Sequence, residues 1–224
     1  MQHKHLYTAG IAFSLLLFTM GFLLDDPRNI LPGLWTIVSS QDVLITDYLA
    51  LAGPGAAFVN AGLVTLSTLG LKALIHEPLN GFSIVDIGLM AGFSLFGKNI
   101  LNIWPIILGA WLFSRLKREP FGKFLSVALL ATSLSPLVSF AGLDTGWDAP
   151  VLGVLLGMLV GFVAVPLSNY TYRIQNGMNL YNMGFACGLL AMVIVPLTTA
   201  MGRSPQKANY WATGYNLRSS GHHA

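Results

Sequence analysis

The chain has 224 residues, of which 54% are hydrophobic and only 9% charged. Soluble domains carry about 25% charged residues, so a surface this apolar is not one that water alone can solvate. The formal charge of +3 comes from basic residues spread through connections, as membrane topology requires, and it does not point to a nucleic-acid partner.

Several apolar runs approach or exceed ~18 residues, the length that reads as a spanning helix. Their unbroken character argues against the short alternating strands of a barrel. The fold class is therefore an all-α polytopic membrane protein, one membrane domain over residues 1–224 with the lipid bilayer as its partner. About five transmembrane helices are expected, together with short re-entrant or broken half-helices. Cys187 is the single cysteine, so no internal disulfide can form, and in its apolar setting it reads as a small core residue.

Residues 8–24 form the first expected span. No small-residue cleavage motif follows it, only Asp25, Asp26 and Pro27, so it reads as a retained helix rather than a signal peptide. Residues 25–42 read as a polar connection with Pro27, Pro32 and an interfacial Trp35. The apolar stretch 43–75 is too long for one straight span, and Gly53-Pro54-Gly55 divides it. This gives a half-helix over 43–52 carrying Asp47 and Tyr48, then a span over 56–75 containing Asn60. Lys72, His76 and Glu77 mark a polar exit, closed by Pro78.

Two short elements follow, 82–96 and 100–114. A helix of ~15 residues covers ~22 Å against a hydrocarbon core of ~30 Å, so residues 82–114 are expected to form a re-entrant hairpin with Gly97-Lys98-Asn99 at its tip. Two independently spanning helices are the alternative. The loop 115–123 (RLKREPFGK) sets four positive residues against Glu119, which places it on the cytoplasmic side of an inner (plasma) membrane. Residues 124–142 make a span that Pro136 can kink, and the acidic turn 144–148 fits the outside.

Residues 149–172 return to the inside. There Gly153, Gly157 and Gly161 recur every fourth residue and offer a smooth stripe to a close helix neighbour. Residues 178–201 are the last span, breakable at Pro196, before a polar tail over 202–224. With Lys4 inside, five spans would put the basic Arg203, Lys207 and Arg218 outside. Either the last element is re-entrant or the tail continues into something that fixes its side.

The most informative stretch is 80–102, NGFSIVDIGLMAGFSLFGKNILN. It is apolar enough for a bilayer yet carries Asp86, Lys98, Asn99 and Asn102 among Gly81, Gly88, Gly92 and Gly97. A charge at bilayer depth costs roughly 2.5–3.5 kcal/mol, so such residues face a protein interior or a water-filled path. Residues 176–188 (NGMNLYNMGFACG) align with 80–92 without a gap. Asn80/Asn176, Gly81/Gly177, Gly88/Gly184 and Gly92/Gly188 are identical, and Asp86 is matched by its neutral isostere Asn182. Repeated, Gly-interrupted apolar segments point to a transporter's binding site.

These two stretches, together with ITDYLALAGPGAAFVNAGL at 45–63 and the FGKN motif at 96–99, resemble an uncharacterised prokaryotic membrane family, the domain of unknown function numbered 1576. The likeness covers roughly residues 8–215. It implies that family members are about twice as long with a second, related half, and that NYWATGYN at 209–216 begins the connection between halves. The family brings no activity with it. At the level of fold, Gly177-x-x-x-Tyr181-Asn182 followed by spaced glycines is similar to motifs of urea transporters, which implies two inverted halves of five spans with a re-entrant element. It does not identify urea as a substrate.

The candidate substrate-binding residues are Asp86, Lys98, Asn99, Asn102, Asn179, Asn182, Asp47 and Asn60. Asp86 can bind a cation, accept a coupling proton, pair with Lys98 across a chain break, or serve as a hydrogen-bonded core group. Lys98 can line the path or snorkel to the headgroups. Asp47 can serve a broken-helix site or cap a helix. The asparagines can bond a solute or tie helices together.

No HExxH, GxSxG, Walker A or GxGxxG pattern occurs, so no enzyme activity, metal site or cofactor is expected. Two functions are carried forward. The first is a channel or secondary transporter for a small polar solute or ion, assembled as a homo-oligomer or with a second, related half. The second is a non-transporting scaffold or partner subunit. A continuous polar cavity joining Asp86, Asn99 and Asn182 separates them, since a scaffold would bury those groups pairwise.

Overall fold

The architecture comes from a computed structural model, which describes residues 2–42, 46–143, 149–174 and 182–200. The acidic turn 144–148, the start of the second repeat including Asn179, and the tail lie outside the described residues. Among the described residues the chain is helical, apart from an isolated antiparallel bridge between Asp47 and Phe96. Four helices are long and apolar enough to cross a membrane, or five with one bent pair.

α1 (Gln2–Leu24) lies along α3 (Tyr48–Leu74), with Gly10 against Leu69 and Gly21 against Val59. Numbers that rise on one helix and fall on the other make the pair antiparallel. Residues 27–39 are not a connection but a helix, α2 (Pro27–Ser39), which corrects the sequence reading of 25–42. Asp26 accepts from the Arg28 backbone N–H at 2.9 Å and Pro27 supplies a fixed φ at the first position, a strong start signal. Ile30, Gly33 and Ile37 then fall on one face and bury against α3, while Leu31 and Trp35 stay exposed.

α3 is two helices joined at a kink. Gly53 has φ 84 and ψ 160, outside the helical region and accessible to glycine alone at no cost. The backbone groups freed there have a partner in Asp25. Its carboxyl is held below the usual range first by the Asn29 amide and also by the Asp26 and Gly55 N–H groups. Asp25 therefore caps the second half of α3 from a neighbouring element.

α4 (Gly81–Phe93) starts in a capping box between Asn80 and Ser83, and α5 (Ile103–Lys117) follows after an irregular segment over 94–102. α6 (Gly122–Ala131) continues through a 3-10 turn (Thr132–Leu134) into α7 (Pro136–Gly142), and the two parts are bent by 54°. Pro136 begins the second part, where its missing N–H is tolerated.

α8 (Ala149–Ile174) uses its glycine stripe against two neighbours. A Cβ on Gly153 would come 2.6 Å from Gly142 of α7, one on Gly157 2.6 Å from Pro105 of α5, and one on Gly161 would collide with the Ile106 carbonyl. Gly109 of α5 answers with an equally close approach to Met158, so α5 and α8 cross backbone to backbone. α9 (Asn182–Ala200) packs on α8 and α6. The outer surface carries exposed apolar side chains such as Leu15, Leu23, Phe82, Val151 and Met192, as a lipid-facing surface requires.

Candidate functional site

The break between α4 and α5 is the polar centre of the molecule. Residues 94–102 leave backbone groups without helical partners, and buried groups of that kind must be satisfied locally. Asn60, fully buried on α3, does most of this. Its amide donates to the carbonyls of Ser94 at 2.8 Å and Lys98 at 2.9 Å, and its carbonyl accepts from the Ile100 N–H at 3.3 Å. The Asn99 carbonyl accepts from the N–H groups of Leu101 and Asn102, and the Asn102 carbonyl accepts from the Asn99 N–H. The Asn102 amide donates to the Gly97 carbonyl at 2.9 Å and faces Ser139 Oγ at 2.9 Å and Asp42 Oδ2 at 3.3 Å.

Asp42 and Tyr48 complete this cluster from the α2–α3 side. The Tyr48 hydroxyl donates to Asp42 Oδ2 at 3.0 Å and accepts from the Asn99 amide at 3.3 Å. Asp42 is fully buried, and its Oδ1 has no hydrogen-bond partner. Asp47 caps α3 by accepting from the Leu49 and Ala50 N–H groups. Asn182 of α9 donates to the Ser168 carbonyl at 3.1 Å and stands apart from the break.

Asp86 pairs with Lys72 rather than with Lys98. Lys72 Nζ and Asp86 Oδ2 are 2.9 Å apart with both side chains buried, and Ser126 Oγ donates to the same carboxylate oxygen at 2.7 Å. The reading of Lys72 as a polar exit is corrected as well: α3 carries it inside the bundle, facing α4. A lysine two residues before the helix end gives no sign in sequence of which way its side chain turns.

Lys98 does not snorkel either. It is 1% exposed, and the Asp86 carboxylate is taken by Lys72. Its ammonium meets the Met90 thioether at 3.3 Å and the face of Phe93 at 5.3 Å. The repeat helix α4 thus meets Lys98 through Met90 and Phe93.

The bent span adds a row of hydroxyls. Ser126 meets Asp86, Thr132 meets Met90 Sδ at 3.3 Å, and Ser139 meets Asn102. Ser135 lies between the last two in the chain, and its Oγ is buried without a hydrogen-bond partner among the described residues. Asp42, Tyr48, Lys72, Ser126, Thr132 and Ser139 were not among the candidate site residues of the sequence, Tyr48 being noted only on the half-helix and Lys72 only as a polar exit. Their spacing carries no motif, and only the packing of α3, α4 and the bent span joins them.

The grooves lie elsewhere. One of about 650 Å³ is lined by apolar residues including Leu71, Trp104, Trp111 and Val154. Neither it nor four smaller grooves touches Asp86, Asn99 or Asn182.

Helices of membrane-spanning length, an apolar exterior and a buried polar centre at a helix break define a polytopic α-helical membrane protein. The chain belongs to the family described as a protein of unknown function (DUF1576), whose model matches residues 26–200. No curated protein and no solved structure matches the chain.

Proposed function

We propose that the protein is a transport subunit for a small polar solute or ion, with its solute site at the α4–α5 break and closed in this arrangement. The observation that carries the proposal is the Lys98 ammonium, buried at a helix break with a thioether and an aromatic face as its partners. A charge removed from water without a carboxylate or carbonyl partner is costly, and intramembrane charges of this kind mark solute and ion paths. In this reading α4, the break and α5 form a re-entrant hairpin. The loop 115–123 faces the cytoplasm of an inner membrane, and the site is completed by a second copy or a related half.

A non-transporting scaffold is the second reading, and a specific observation favours it. Asp86 is engaged by Lys72 and Ser126, Asn99 by Tyr48 and its own turn, and Asn182 by Ser168, and none of the five grooves touches any of the three. Flux in proteoliposomes separates the two. Transport requires uptake from a panel of neutral, cationic and anionic solutes by the wild type that Lys98→Met abolishes in folded protein. Absence of flux from the chain alone and with a second half supplied leaves the scaffold.

A further inference from the structure

The surroundings of Lys98 say what kind of solute would be held there. An ammonium has three N–H donors, whereas a thioether is a weak acceptor and a ring face attracts only electrostatically. Lys98 Nζ lies 3.3 Å from Met90 Sδ, as does Thr132 Oγ1, whose single proton is given to the Leu129 carbonyl at 2.5 Å.

The carboxylates of the neighbourhood are engaged or turned elsewhere. Asp86, one turn earlier on α4, is held by Lys72 and Ser126, and Asp42 is turned to Tyr48 and Asn102. From α3, α4, α9 and the bent span, no carboxylate among the described residues is paired with the ammonium. A thioether facing an ammonium occupies the position that a harder acceptor would take. Methionine's flexible chain lets it move away.

We infer that Lys98 binds a small monovalent anion, which displaces Met90 Sδ and is held by the ammonium. This inference rests on the reading of the α4–α5 break as a solute site and names its solute class. One unpaired positive charge balances one negative charge. A lining of thioether and aromatic face favours weakly hydrated anions such as bromide or nitrate over strongly hydrated phosphate or sulfate, because less hydration is lost on entry.

The test uses the purified full chain in detergent, with sodium gluconate replaced stepwise by sodium bromide or nitrate at constant ionic strength. Thermal unfolding is followed by tryptophan fluorescence. A saturable rise in Tm is expected, roughly 3–6 °C at ten times the dissociation constant, with sulfate giving none. Lys98→Met removes the rise. Met90→Leu, which keeps the ammonium and deletes the competing sulfur, retains it at equal or lower anion concentration. Bromide-81 line broadening on wild-type protein reads binding directly should Lys98→Met fail to fold.

Absence of both a saturable Tm response and broadening in the wild type overturns the inference, as does a response that survives Lys98→Met. Flux of a neutral or cationic solute without an anion response would also overturn it while leaving the transport reading intact. A saturable anion response without flux would support the anion site and overturn transport.

Discussion

The Lys72–Asp86 pair offers the sharpest test of how this bundle is held together. At 2.9 Å, with both side chains buried, the attraction amounts to about 6 kcal/mol at an effective dielectric near 20. Desolvation of the two ions, several kcal/mol each, offsets most of it, so the intact pair contributes little net stability. Removing one partner is different. Lys72→Met leaves the Asp86 carboxylate buried with only the Ser126 hydroxyl, at a cost of about 3–5 kcal/mol. For a chain of this size that is roughly 6–20 °C in Tm.

The double variant Lys72→Met/Asp86→Met removes both charges and is expected to recover most of the loss. Cys187 is buried and is the only cysteine, so its labelling by a thiol-reactive fluorophore during a thermal ramp in detergent reports unfolding. A single Lys72→Met variant within about 2 °C of wild type, below the shift expected from 1 kcal/mol, would refute the reasoning. So would a double variant no more stable than the worse single one.

Two further outcomes follow from the packing, both read by the same thermal ramp. Gly161→Ala places a methyl group in the Ile106 carbonyl and is expected to destabilise by about 1–3 kcal/mol or more, whereas Gly88→Ala meets nothing within 4 Å and leaves Tm unchanged or higher. Asn60→Ala strands the Ser94 and Lys98 carbonyls and the Ile100 N–H, at about 1–3 kcal/mol for each group left without a partner. It is expected to lower Tm well beyond Asn182→Ala, whose amide has a single close partner at the Ser168 carbonyl.

The character of the fold was legible because it rests on local chemistry. A chain 54% hydrophobic and 9% charged belongs in a bilayer, and its long apolar runs are helices there because each helix satisfies its own backbone. The glycine stripe of α8 was legible in the same way, since fourfold spacing fixes a face whatever lies opposite it. The helix at 27–39 was missed although Asp26 and Pro27 signal its start. Its two prolines and interfacial tryptophan outweighed the Ile30–Gly33–Ile37 periodicity in the sequence reading.

The polar centre divides along the same line. The sequence by itself marked 80–102 as the stretch where charge and glycine interrupt an apolar run, because a charge in hydrocarbon is conspicuous wherever it points. Only the tertiary structure decided which charge has a partner. Lys72 and Asp86 are fourteen residues apart and meet because α3 and α4 pack face to face, while Lys98 turns toward Met90 and Phe93 and has no carboxylate partner among the described residues. An ion pair depends on the direction of two side chains across a helix interface, and that direction is set by the packing of whole helices rather than by spacing along the chain.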